Sequence, residues 1–294
     1  AYFDIGNLGL STIVLGGLVE KFQLQGQILG EVAMGAVLKH SSDFNLAREA
    51  TLSSGLSPHT PGITITRACG TGLDSLITVA NKIAVGQIEA GIGGGSDTTS
   101  DVPIAVSKKL RRRLLDLNRA RSLGERIKAA LKGFSLGEFK PEFPGVAEPR
   151  TGKSMGESCE DMAKQWQIRR EDQDLLAYES HQKAAAAYAR GFYSDLVMPL
   201  RGLDKDNILR PDTSLEKLAT LKPAFDKRSG KGTLTAGNST NLSDGASAAL
   251  LSSEAWAHAN DKEIQAYLVD AQVAAVDFVA GEGLLMAPAW AVAQ

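Results

Sequence analysis

A chain of 294 residues is long enough to bury one large core or two ordinary ones. Its 32 Lys and Arg against 34 Asp and Glu leave a formal charge of −2, so the molecule as a whole does not read as a nucleic-acid or membrane binder. Two cysteines, Cys69 and Cys159, exclude a disulfide framework, and each lies in a stretch that reads as internal, which points to a reducing compartment. No apolar run reaches the roughly 18 residues of a membrane span.

In chain order, Thr12–Phe22 places Val14, Leu15, Leu18, Val19 and Phe22 on one helical face. The apolar run Ile28–Leu38 reads as a strand or short buried segment, and Asn45–Gly55 as a helix closed by its glycine. Gly62–Thr66 alternates as a strand. From Gly72 onward, Leu73, Leu76, Ile77, Ala80, Ile83 and Ala84 fall at helical spacing with few charges, which predicts a helix buried nearly all round. Ala90–Gly95 (AGIGGG) is a small-residue strand closed by a turn at SDTTSD. Strand, turn, helix and strand in that order make a βαβ unit and a parallel or mixed sheet.

Residues 103–149 change character, with a basic stretch and then the Pro- and Gly-rich PEFPGVAEP. One long helical stretch is expected from Gly156 to Ala189, then a loop-rich segment whose short helix Asp212 or Thr213 could cap. The segment TLTAGNSTNLSDGASAALLSSEAWA returns to strand, glycine loop, strand and helix, and Ala266–Ala275 begins a further strand.

Cys69 sits where the first βαβ strand turns into its helix. A helix N-terminus, with free N–H groups and a favourable dipole, stabilises a thiolate. The same N–H groups can stabilise an oxyanion when a carbonyl is attacked. Gly70 and Gly72 allow a substrate to approach the backbone, an arrangement that suits acyl transfer through a covalent thioester. The alternative is a small core residue, since free cysteine is often buried. RACGTG is not the hydrolase G-x-S-x-G elbow, GIGGGSD lacks the third glycine of a dinucleotide fingerprint, and no P-loop GK[ST] occurs.

The stretch TITRACGTGLDSLITVANKIAVGQIEAGIGGGSDTTSDVPI resembles the thiolases, which carry a nucleophilic cysteine in such an elbow. FNLARE (Phe44–Glu49) is similar to the family's N-x-A-R helix, SMGESCEDMAKQWQIRREDQD (Ser154–Asp174) to its M-G-x-x-A-E-N loop and following helix, and TLTAGNSTNLSDGASA (Thr233–Ala248) to its T-A-G-N motif. Within the family, the elbow followed by SDVPIAVSKKLRRRLLDLNRARSLGER is closest to β-oxidation enzymes of the trifunctional-complex β-subunit type.

The resemblance implies an α/β chain with the thiolase-like layered α-β-α-β-α fold, here mainly its N-terminal half plus the loop domain. Residues 1–103 and 242–263 would form one five-stranded core domain, 104–241 an inserted CoA-binding loop domain, and 264–294 the start of the C-terminal core. It implies that Cys69 accepts the acyl group of a 3-ketoacyl-CoA, with coenzyme A as co-substrate and neither a tightly bound cofactor nor a metal. Arg210, Ala236 and Thr240 match CoA-contacting positions, Thr240 keeping the hydroxyl of the usual Ser, and Met155 matches the acyl pocket. Ser154 stands where short-chain relatives often carry His. A homodimer or dimer of dimers is expected, with Gly62–Thr66 near the two-fold axis. The compartment would be the cytoplasm of a bacterium, or the mitochondrial or peroxisomal matrix of a eukaryote.

The family's G-H-P, C-x-G-G-G and N-E-[AS]-F motifs do not occur, and His40, His59, His181 and His258 read as surface or element-end residues. The chain thus resembles a thiolase truncated at both ends, expected not to turn over acyl-CoA by itself. A scaffolding relative that keeps the fold and the CoA surface without the chemistry is the rival reading. Cys159 reads as packing. Lys108–Lys132 carries ten basic residues and two acidic ones, with Leu110, Leu114, Leu117, Leu123, Ile127 and Leu131 interleaved. It predicts a basic amphipathic helix or helix pair with Gly124 near the break, facing solvent, the phosphates of coenzyme A or, as the favoured functional readings, an anionic membrane surface or an α-type β-oxidation subunit.

Overall fold

The computed structural model describes residues 2–294. Helix α1 (Asn7–Lys21) precedes strand β1 (Glu31–Gly35), helix α2 (Leu46–Ser53), strand β2 (Gly62–Ile65), helix α3 (Thr71–Ala84) and strand β3 (Ala90–Asp97). β4 (Ala105–Val106), α4 (Lys108–Arg119), α5 (Leu123–Leu131) and β5 (Pro141–Glu142) follow, then α6 (Met155–Gln165), α7 (Arg170–Ala189) and α8 (Leu215–Ala219). The chain returns through β6 (Gly245–Ser252) and α9 (Glu254–Ala259) and ends on α10 (Ala287–Ala293).

The central sheet has the order β2-β1-β3-β6, with β1 parallel to both β2 and β3 and β6 antiparallel to β3. The mixed sheet expected of the βαβ unit is therefore present, with four strands among the described residues rather than five. Alternation along each strand separates the two faces. Val32, Met34, Ala90 and Ile92 point into a core with Leu15 and Val19 of α1 and Ala47 and Ala50 of α2. On the other face Glu31 reaches Lys82 of α3 at 2.6 Å, and Gly35, Gly91 and Gly93 lie under that helix. The result is a helix–sheet–helix sandwich, α1 and α2 on one side and α3 on the other.

The glycines of β3 explain how close α3 lies. A Cβ on Gly93 would stand 2.7 Å from the Leu76 Cα, and one on Gly91 2.8 Å from Val79 Cγ1. AGIGGG is thus a smooth strand surface on which a helix backbone rests directly.

Several boundaries differ from the sequence reading for local reasons. The first helix begins at Asn7, whose buried amide donates to the Leu38 carbonyl at 2.7 Å. The stretch from Gly156 to Ala189 is two helices, because the chain turns at Trp166–Arg169 with Gln167 at φ 53°. The cap of α8 is Ser214, which accepts from the Lys217 N–H, rather than Asp212 or Thr213. Thr233–Gly237 makes a single bridge, Pro223 to Thr235, instead of a strand. Ala266–Ala275 has no strand partner and forms no strand. Helix α3 is not buried all round: Thr71, Ser75 and Val79 face the sheet and are buried, while Leu73 on the outer side is 63% exposed. Among the described residues, no helix is long and apolar enough to cross a membrane.

Candidate functional site

The chain reverses at Arg67–Gly70 between β2 and α3. Ala68 adopts a left-handed φ of 43°, a conformation that residues with a Cβ avoid. Thr71 holds the reversal: its hydroxyl accepts from the Arg67 N–H at 2.7 Å and donates to the Ala68 carbonyl at 2.7 Å. Arg67 Nε also lies 3.0 Å from Asp74 Oδ2 in the first turn of α3, tying the entry of the elbow to the helix it opens. Cys69 is thereby lifted out of the packed layers and is an exposed, free thiol, which removes the core-packing alternative.

Cys69 borders an open cleft of about 330 Å³. Its other walls are Gly35 at the end of β1, Gly95–Asp97 at the end of β3, Gly245–Ser247 at the start of β6, and Ala68, Thr71 and Gly72 of the elbow. Ligands of α/β sheets commonly bind at the carboxyl ends of the parallel strands, and β1 and β3 both end here. Gly35 and Gly95 keep these walls low: a Cβ on Gly35 would stand 2.0 Å from the Ile65 carbonyl oxygen. The N–H groups of Gly72 and Leu73, in the first turn of α3, find no acceptor among the described residues.

The floor of the cleft is fixed by carboxylates. Asp97 accepts from the Val37 and Leu38 N–H groups at 2.8–3.0 Å. Asp244, just before Gly245, accepts from the Thr98 hydroxyl, the Thr99 N–H and the Ser100 N–H and hydroxyl at 2.6–3.2 Å. Burial pushes the Asp244 carboxyl up, but these four donors outweigh it and hold the group below its ordinary value. Sequence reading missed Asp74, Asp97 and Asp244 in these roles. Asp74 falls seven residues after its partner across a turn, and Asp244 reaches back over 140 residues, so no periodic pattern announces either.

The other expected site residues lie on the insertion. Ala236 and Thr240 are both exposed on one loop, Thr233–Thr240. A buried network holds that loop: Glu160 of α6 accepts from the Thr233 N–H and hydroxyl and from the Leu234 N–H at 2.8–3.1 Å. Asp174 of α7 accepts from Asn238 Nδ2 at 2.9 Å and pairs with Arg170 at 2.7 Å, while Asn238 Oδ1 accepts from the Thr235 N–H. The polar residues of the two motifs therefore meet each other. Arg210 is exposed, its guanidinium donating to the Asn207 and Leu209 carbonyls and its N–H to His181 Nδ1 at 3.3 Å. Met155 opens α6 and is 47% exposed. None of these four lines the cleft at Cys69. Among the described residues no histidine lines it either: His40 pairs with Asp101 at 3.1 Å and His258 lies 3.6 Å from Glu254. Cys159 is half-buried on α6, where burial and the neighbouring Glu160 push its thiol up.

Residues 2–255 match the family described as Thiolase, N-terminal domain. A 3-ketoacyl-CoA thiolase of Shewanella baltica is 39% identical over 297 residues, covering 99% of this chain and 67% of that protein. One from Cronobacter sakazakii is 40% identical over 296 residues, with the same coverage. Among solved structures, human mitochondrial 3-ketoacyl-CoA thiolase in complex with CoA superposes with a TM-score of 0.77 at 27% identity, over 94% of this chain and 66% of that one. The Bacillus anthracis acetyl-CoA acetyltransferase gives a TM-score of 0.75 at 28% identity, over 94% and 67%. The chain thus spans about two thirds of the length of the relatives it matches. A glycine-paved βαβ unit with an exposed cysteine at its elbow, matched along nearly its whole length, places the chain in the thiolase family of acyl-CoA acyltransferases.

Proposed function

We propose that Cys69 is the acyl-accepting nucleophile of a 3-ketoacyl-CoA thiolase acting in fatty-acid β-oxidation. The Cys69 sulfur attacks the C3 carbonyl of a 3-ketoacyl-CoA, and the resulting oxyanion is met by N–H donors at the start of α3. The C2–C3 bond then breaks, leaving the shortened acyl group as a thioester on Cys69. The two-carbon piece departs as the enolate of acetyl-CoA and takes up a proton. The thiol of a second coenzyme A attacks the thioester, giving the shortened acyl-CoA and restoring Cys69. Run backwards, the same steps are a Claisen condensation.

The observation that carries this reading is the exposure of Cys69 on a cleft at the carboxyl ends of β1 and β3, beside two N–H groups without acceptors. The loop domain, 104–241, would hold coenzyme A through Arg210, Ala236 and Thr240, with Met155 against the acyl chain. The relatives' names, 3-ketoacyl-CoA thiolase and acetyl-CoA acetyltransferase, support this substrate class. Among the described residues β2 is the edge strand of the sheet, which supports a homodimer built around that strand.

A second reading is a CoA-binding scaffold without chemistry; among the described residues no histidine borders the cleft to take the thiol proton. Incubation with acetyl-CoA followed by peptide mass analysis separates the two. One acetyl group on the Cys69 peptide supports the nucleophile. Saturable coenzyme A binding without acetylation supports the scaffold. Multiple turnover of acetoacetyl-CoA by these 294 residues alone would refute the expectation that they are catalytically incomplete.

A further inference from the structure

Residues 104–241 run between β3 and β6 and hold α4 to α8. Among the described residues, the side-chain hydrogen bonds and ion pairs that tie this segment to the sheet domain all involve one stretch, Gly191–Leu203, just after α7. Lys21, the last residue of α1, donates to the Asp195 carbonyl at 2.7 Å and lies 3.4 Å from Asp195 Oδ2. Met198 lies against Gly17 in the middle of α1, so closely that there is no room for a Cβ there. Arg201 pairs with Asp4, ahead of α1. The stretch therefore runs antiparallel along α1 as a strap, touching it near its end, its middle and its beginning.

Both ends of the strap are built. At its far corner Leu200 and Leu203 exchange two backbone bonds, at 2.9 and 3.0 Å, around Arg201 and Gly202, whose φ values are 50° and 79°. A two-residue turn of this kind favours Asn-Gly, and an arginine in the left-handed region is disfavoured. Here the side chain that the corner presents is the one that Asp4 engages. At the near end Tyr193 packs on Tyr188 of α7, ring centroids 4.6 Å apart, and the Tyr188 hydroxyl accepts from the Asp206 N–H at 2.9 Å, four residues before Arg210. Contacts thus run without a break from α1 through the strap to the loop of Arg210. On its other side α1 packs on β3 and β6, whose ends wall the Cys69 cleft.

We infer that the strap fixes the orientation of residues 104–241 against the sheet domain, and that Lys21, Met198 and Arg201 are positioning residues that bring the thioester to Cys69. The second half of this inference rests on the reading that Cys69 accepts the acyl group and residues 104–241 hold coenzyme A. Exposed ion pairs add little to folding stability and are screened by salt, so the strap is a weak latch whose release leaves both parts folded. Its leverage is geometric, because a reacting group misplaced by about 1 Å costs on the order of 100-fold in rate.

The test uses the whole chain carrying Cys159→Ser and Lys231→Cys, an exposed position, with spin labels on Cys69 and on the introduced thiol. Double electron–electron resonance reads the distance between them. Expected is one narrow distribution at about 0.05 M salt, broadened by about 0.5 M salt. Lys21→Gln with Arg201→Gln also broadens it, with circular dichroism unchanged. Lys128→Gln with Lys132→Gln, exposed cations outside the strap, leaves it narrow. In the unlabelled chain the Lys21/Arg201 variant is acetylated on Cys69 at least about tenfold more slowly at saturating acetyl-CoA, with coenzyme A affinity kept within a few-fold. Asp4→Arg with Arg201→Asp recovers most of what Arg201→Asp alone loses. An unchanged distance distribution in the Lys21/Arg201 variant overturns the strap. A broadened distribution with an undiminished acetylation rate overturns its positioning role. A parent chain that is never acetylated refutes the nucleophile reading instead, and the label distances still decide the strap.

Discussion

Arg113 and Glu138 form a buried pair at the centre of the basic α4–α5 segment, their side chains 8% and 0% exposed and Arg113 Nε 3.0 Å from Glu138 Oε1. The finding changes how the run of three arginines is read, since Arg111 and Arg112 face solvent while Arg113 holds α4, α5 and the Leu136–Phe139 turn together. Burial pushes the Glu138 carboxyl up, but hydrogen bonds from Arg113 and the Ser135 N–H outweigh it and leave the group below its ordinary value. A depressed carboxylate contributes stability that is present above its unfolded value and lost as pH falls through the folded one. Hydrogen exchange across 108–139 is therefore expected to speed up as the solution is acidified below the ordinary glutamate range. Arg113→Ala is expected to raise exchange there at neutral pH by about tenfold or more, since it leaves Glu138 buried without its partner. Arg111→Ala changes neither. Equal protection in the Arg113 and Arg111 variants would remove that role from Arg113.

Cys69 and Cys159 differ in a way that one reagent reads. Cys69 is exposed beside the N-terminus of α3, whereas Cys159 is half-buried with its thiol pushed up by burial and by Glu160. At neutral pH iodoacetamide is expected to alkylate Cys69 at least about tenfold faster, because only the thiolate reacts. Cys69→Ser is expected to abolish the acetylated peptide while leaving coenzyme A affinity within a few-fold. Equal labelling of the two cysteines would mean that neither the exposure of Cys69 nor the burial of Cys159 sets their reactivity.

The sheet, its parallel core and the cysteine elbow were legible because each is written locally. Alternation gives β2, a capping Asn45 and a closing Gly55 bound α2, and a strand running into Cys-Gly-Thr-Gly marks the reversal. What was not legible depends on partners distant in sequence. Ala266–Ala275 has strand composition, but a strand exists only when another edge pairs with it, and none does here. Helix α3 carries few charges, which suggested burial nearly all round, yet its burial is set by what covers its outer face. Arg113 looks like its two neighbours until Glu138, 25 residues later, singles it out. The T-A-G-N and M-G-x-x motifs were recognisable, but only the fold shows that Glu160, Asp174 and Asn238 join them into one network.

That network gives a prediction separable from chemistry. Glu160 is 2% exposed and accepts three hydrogen bonds from Thr233 and Leu234, so both of its oxygens must be acceptors. Glu160→Gln turns one acceptor into a donor facing an N–H. The substitution is expected to destabilise the protein by about 1–3 kcal/mol in urea unfolding. It should also weaken coenzyme A binding, because Ala236 and Thr240 ride on the loop it holds, with the acetylation of Cys69 at saturating acetyl-CoA little changed. A variant that loses acetylation but keeps affinity would mean that the loop serves the cleft rather than the nucleotide end.

Gly93 and Gly72 lie on opposite sides of the α3 contact and are expected to respond oppositely to one added methyl group. On Gly93 the Cβ would meet the Leu76 backbone at 2.7 and 2.8 Å, atoms that cannot rotate away, so α3 must lift from the sheet. Gly93→Ala is expected to cost about 1–3 kcal/mol in denaturant unfolding, as overpacked sites do. Because α3 carries the elbow, alkylation of Cys69 should change with it. On Gly72 the Cβ meets nothing within 4 Å, and alanine favours the helix, so Gly72→Ala should leave stability unchanged or raise it by up to about 1 kcal/mol. The same methyl group projects where Gly72 borders the cleft beside Cys69, so acetylation by acetyl-CoA should fall while the fold gains. A Gly72→Ala protein acetylated at the original rate would place the acyl group somewhere other than this cleft. A Gly93→Ala protein of unchanged stability would mean that the glycines of β3 are not what lets α3 approach.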